Sequence, residues 1–84
     1  MKAKHAKTLS LIFSHPASGN VRWNDVEALL TALGADIIEA AGSRIRVDLF
    51  NQVRVFHRPH PSPNMDKGAV ANLRDWLEAN GVMP

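Results

Sequence analysis

Apolar residues recur along this chain at two different periods. Leu9, Ile12 and Phe13 stand at i, i+3 and i+4, which predicts a helix over residues 3–14. Lys2, Lys4 and Lys7 crowd its start, where the helix dipole disfavours cations, so that end is expected to fray. The run from His15 to Asn20 holds Pro16 and Gly19 and reads as a loop. Val26, Leu29, Leu30 and Leu33 then form one stripe at i, i+3, i+4 and i+7, the clearest helix of the chain. Asn24, with Glu27 three residues later, reads as a capping box. Trp23 takes the staple position outside it, and Gly34 suits a left-handed position after the last turn.

After Gly34 the period becomes two. Ala35–Ala41 predicts a short strand carrying Ile37 and Ile38, and Gly42-Ser43 a turn. Arg44–Leu49 alternates, with Ile45, Val47 and Leu49 on one face and Arg44, Arg46 and Asp48 on the other. Phe50-Asn51-Gln52 turns the chain back into a third strand, Val53–His57, with Val53, Val55 and His57 expected toward the core. So short a connection implies an antiparallel hairpin. Pro59, Pro61 and Pro63 forbid regular structure over residues 58–64. Val70, Leu73 and Leu77, widened by Trp76, define a last helix, capped by Asn64 or Asp66 and ended at Gly81. The order is α-α-β-β-β-α. It predicts an α+β fold in which a three-stranded antiparallel sheet carries its helices on one face.

Composition narrows the class. The 84 residues allow one small domain, 1–84, and 45% hydrophobic residues against 21% charged ones mark a globular chain. There is no Cys, which removes disulfides, thiolate nucleophiles and Cys-based metal centres. The longest apolar run falls far short of the roughly 20 residues that span a bilayer. Leu9 to Phe13 is too short for the apolar part of a secretion leader. A soluble, cytoplasmic protein is the expectation.

The net charge of +2 matters through its placement. Arg44, Arg46, Arg54 and Arg58 are four of the six Arg and lie within fifteen residues. On the alternation above, the hairpin's outer face would present them together. A guanidinium is a planar fork of donors that matches phosphate oxygens, so this face reads as a surface for RNA. Phe56 shares the parity of Arg54 and Arg58 and could stack on an unpaired base or lie under the first helix. A solvated sheet face with Arg–Asp48 pairing would carry the same pattern. His57 and His60 flank the stiff segment Arg58-Pro59 and are the candidate acid–base groups. As a metal site they lack a convincing third ligand, so neither a metal nor a cofactor is expected. Trp23 and Trp76 read as core, and His5 and His15 carry no role.

Taken together, four features resemble the HicA toxins, the mRNA interferases of HicA–HicB toxin–antitoxin pairs. They are a helix ending in Leu33-Gly34, Gly42-Ser43 opening a strand, His60-Pro61 after the hairpin, and Asp66-Lys67-Gly68 opening a helix that ends at Gly81. The resemblance spans about residues 22–82, with helix 3–14 as an addition. It implies a fold similar to the double-stranded-RNA-binding domain, metal-independent cleavage of mRNA, growth arrest, and neutralisation by a HicB-like antitoxin. It also implies a catalytic His one or two residues after the Gly-Ser. Here those positions hold Arg44 and Ile45, and parity makes Arg44 the outward one. Arg stays protonated and cannot act as a general base. His60, which aligns with the family's His-Pro, then His57, with outward Asp48 third, are the catalytic candidates, while Arg44, Arg46, Arg54, Arg58 and Lys67 are the RNA-binding ones.

Two other readings differ in kind. The protein could bind RNA without cutting it, or it could dock an acidic antitoxin surface with the same Arg residues. A DNA-binding winged helix is disfavoured, because Asp25 and Glu27 would meet phosphates on the second helix.

Overall fold

The computed structural model describes residues 1–84. Its elements are α1 (Ala3–Ile12), α2 (Trp23–Ala32), β1 (Asp36–Glu39), β2 (Arg44–Leu49), β3 (Gln52–His57) and α3 (Lys67–Ala79). The strands form an antiparallel sheet in the order β1-β2-β3. Ile45, Val47 and Leu49 of β2 are buried in one cluster with Val26, Leu29 and Leu30 of α2 and Val70, Leu73 and Leu77 of α3. Leu9 and Ile12 of α1 join the same cluster. The other face of the sheet is open, with Ile38, Val53 and Val55 exposed on it. This is the α+β architecture that the hydrophobic periodicity predicts.

The start of α2 differs from the expected capping box. Trp23 is already helical, Arg22 stands at the N-cap, and no side chain caps the amides there. Glu27 instead accepts a 3.0 Å hydrogen bond from the Trp23 indole N–H. An indole N–H buried without a partner is costly, and a carboxylate one turn along the helix supplies it. At α3 the Asp66 carboxylate accepts from the Ala69 amide at 2.8 Å, so Asp66, not Asn64, is the cap. Gly34, Gly42 and Gly81 all take positive φ at the ends of helices or in the β1–β2 turn.

The β2–β3 connection sets the geometry of everything near it. Phe50 and Asn51 take φ of 58° and 57°, both left-handed, as a two-residue type I′ turn requires. Leu49 therefore faces Gln52, Val47 faces Arg54, and Ile45 faces Phe56. Residues directly opposite in an antiparallel pair share a face. Arg54 and Phe56 consequently point to the helix side, while Val53, Val55 and His57 point to the open side. That inverts the facing expected for β3. The expectation counted Gln52 into the turn, and a one-residue shift moves every side chain to the other face.

The proline-rich segment between β3 and α3 is tied down along the start of α2. Asn64 bridges to Arg22. The Met65 amide donates to the Val21 carbonyl at 2.8 Å, and the Trp23 amide donates to the Pro63 carbonyl at 3.1 Å. These bonds satisfy backbone groups that proline rings leave without a regular partner.

Candidate nucleic-acid interface

Two short segments meet at one end of the sheet. The Gly42-Ser43 turn leads into β2, and Arg58-Pro59 continues from β3. The Arg58 amide donates to the Ser43 carbonyl at 2.7 Å, so the ladder extends one pair beyond the strands. Between these segments lies a cleft of about 320 Å³, lined by Glu39, Ser43, Arg44, Arg58 and His60 among others. His60 and Arg44 thus share one wall-to-wall site although sixteen residues separate them.

The guanidinium groups do not form a single flat surface. Arg44 and Arg46 stand on the open face of the sheet, whereas Arg54 and Arg58 belong to the opposite side. Arg54 lies 5.4 Å from the centroid of the Trp76 ring, a cation–π contact on the helix side of β3. Arg46 is held by Asp48 through two bonds, Nε–Oδ1 at 2.8 Å and Nη2–Oδ2 at 3.2 Å. The hydrogen bond and then the charge of Asp48 push the guanidinium above its ordinary range, so Arg46 is a paired cation. Arg58 pairs with Glu39, bringing a β1 carboxylate across the mouth of the cleft. Arg44 makes no ion pair, and its Nε only donates to the Ala41 carbonyl at 3.4 Å.

Phe56 is half-buried and is no stacking platform. Its ring centroid lies 5.7 Å from that of Trp23 and 6.1 Å from that of Trp76. The two Trp rings are core, as their spacing suggests, with Trp76 donating its indole N–H to Gln52 at 2.7 Å. His57 sits directly opposite Arg44 on the open face and is exposed. Lys67, the first residue of α3, is exposed beside Gly19 of the α1–α2 loop and does not line the cleft. Glu39 and Arg22 are polar groups at this end of the sheet that the hydrophobic pattern does not single out. Glu39 becomes visible only through strand register, which sets it opposite Ile45 and toward the same side as Arg58. No three His, Asp or Glu side chains converge as metal ligands would.

A family model described as HicA toxin of bacterial toxin-antitoxin matches residues 23–82. The chain belongs to the HicA toxin family. Comparison with curated proteins and with solved structures gives no match. The HicA match runs from the first turn of α2 to just beyond α3, so α1 lies outside it. It includes the whole cleft, both its Gly-Ser wall and its His-Pro wall. Membership makes this chain a toxin of the toxin–antitoxin kind, with an antitoxin as the implied partner. No helix is long and apolar enough to cross a membrane.

Proposed function

We propose that this HicA-family chain binds mRNA at the end of its sheet and cleaves it, acting in the cytoplasm until a HicB-like antitoxin covers the same surface. The observation that carries this reading is the shared cleft of Arg44, Arg58 and His60 within a toxin-family match. Cleavage through the RNA's own 2′-oxygen needs a base for that hydroxyl and cations for the charge that builds on phosphorus. Glu39 also lines the cleft, but Arg58 already holds its carboxylate, which leaves His60 as the group there free to accept the proton. The 2′-oxygen then attacks the adjacent phosphorus. Arg44 donates to the non-bridging oxygens as their charge rises, and Arg58 adds the N–H groups that Glu39 leaves free. The 5′-oxygen leaves, takes a proton from solvent, and a 2′,3′-cyclic phosphate forms. His57 is the second candidate base, since it flanks Arg44 on the open face. Arg46, Arg54 and Lys67 lie outside the cleft and enter the reading as more distant phosphate contacts at most.

The test is cleavage of a defined RNA by purified protein. Wild type is expected to cut without added metal, His60→Ala to lose about 10²-fold or more in rate, and Arg44→Ala to lose rate with weaker binding. His57→Ala is the control that separates the two rings. Expression without antitoxin is expected to arrest growth. One observation favours a second reading, a toxin-family fold that binds RNA without cutting it. Arg44 stands where the resemblance expects the catalytic His, and a guanidinium cannot take the proton. Salt-dependent RNA binding with no cleavage and no growth arrest would decide for that alternative.

A further inference from the structure

The cleft of Arg44 and His60 does not end at Arg58. A second, smaller hollow of about 130 Å³ opens on the other side, lined by Arg22, Trp23, Asn24, Arg58, Pro59 and Pro63. The two hollows share Arg58 and Pro59 and are therefore neighbours across one ridge. Glu39 is the one carboxylate among all their lining residues, and Arg58 already engages it. Arg22 makes no ion pair, and its side chain is exposed.

The backbone beneath Arg22 is fixed. Its neighbours Val21 and Trp23 are buried at 1% and 2% exposure. Arg22 itself bridges to Asn64, and hydrogen bonds from Met65 to Val21 and from Trp23 to Pro63 close both sides of that bridge. The fixed backbone places the root of the Arg22 side chain beside the ridge, and its planar fork of donors is free to meet an anion there. Arg22 and Arg44 are thus unpaired cations on either side of the Arg58-Pro59 ridge.

We propose that Arg22 is a second phosphodiester subsite, so that single-stranded RNA crosses the ridge with one phosphate at Arg44 and a further one at Arg22. This rests on the RNA reading above and extends it, because it assigns an extended strand as the ligand and gives it a path. Arg22 is a binding residue here and takes no part in the proton transfers.

Binding is read with 2′-O-methyl RNA of one base composition, which cannot undergo attack by its 2′-oxygen, in lengths from two to eight nucleotides. On the eight-mer, Arg22→Ala is expected to weaken affinity roughly tenfold, the loss of one charge-assisted contact. It is also expected to flatten the log–log salt slope by about 0.7, one single-strand phosphate. On the dinucleotide, Arg22→Ala is expected to match wild type, whereas Arg44→Ala weakens both lengths. Equal binding of the eight-mer by Arg22→Ala and wild type overturns the subsite and leaves the RNA reading intact. Failure of wild type to bind any length overturns both. A variant that loses antitoxin capture but keeps RNA binding assigns Arg22 to the protein partner and overturns the subsite.

Discussion

What a guanidinium offers a polyanion depends on what already holds it. Arg46 is gripped by both oxygens of Asp48, Arg58 reaches Glu39, and Arg54 rests on Trp76. Counting Arg along the sequence finds the cluster but not these occupations, because each partner comes from register or from the far side of a helix. Asp48 is the exception: alternation puts it on the face of Arg44 and Arg46, so an Arg–Asp48 pair is legible there, while the structure makes Arg46 the partner. Sequence order hides Arg22 for the opposite reason. It lies twenty-two residues before Arg44, and only the bridge to Asn64 brings it near. These occupations make a prediction about Asp48→Asn. The substitution releases Arg46, yet Arg46 lines neither hollow. RNA affinity and the salt slope are expected to stay at wild-type values, measured beside Arg22→Ala under the same conditions. A steeper slope in Asp48→Asn would move the RNA path onto the open sheet face.

At the scale of elements, the hairpin decides which side chains can be part of a site. Val53 and Val55 alternate with Arg54 and Phe56, and hydrophobicity alone sends the two valines inward. The two-residue turn at Phe50-Asn51 overrides this and sends Phe56 inward against Trp23 and Trp76. Neither turn residue is Gly, so the sequence carries only a weak signal for a left-handed pair. The edge of Phe50 against Trp76, with centroids 5.4 Å apart, is a tertiary contact that compensates for its unfavourable φ. Paired substitutions read this parity directly. Val55 is 57% exposed, so Val55→Lys is expected to change unfolding free energy by no more than about 0.5 kcal/mol. Phe56→Lys removes an aromatic ring from a packed cluster and places a charge there, with a loss of about 2 kcal/mol or more. Denaturant midpoints at constant slope distinguish the two. The helix ends were easier to read, since Asp66, Gly34 and Gly81 act through local geometry. Asp66→Ala is expected to cost about 1 kcal/mol through the unpaired Ala69 amide.

For the molecule as a whole, the family pattern and the physical core have different limits. The match begins at residue 23, but the buried cluster does not. Leu9 and Ile12 are 2% and 0% exposed, and Thr8 is buried with its hydroxyl donating to the Lys4 carbonyl at 3.1 Å. The first helix was legible from the spacing of Leu9, Ile12 and Phe13. That it closes the core over α2 and α3 was not, because two apolar positions do not say which helices they cover. Burying an aliphatic side chain of this size contributes about 1.5–3 kcal/mol. Two of them are a large part of the roughly 0.05–0.15 kcal/mol per residue by which such domains are stable. Removal of residues 1–14 is therefore expected to abolish the cooperative unfolding transition, even though every cleft residue is retained. Leu9→Ala with Ile12→Ala in the full chain is the milder form, expected to lower stability by several kcal/mol. Calorimetry checks both. A truncated chain that still melts cooperatively would make α1 an appendage, and would place the whole of the stabilising core within the family's own limits.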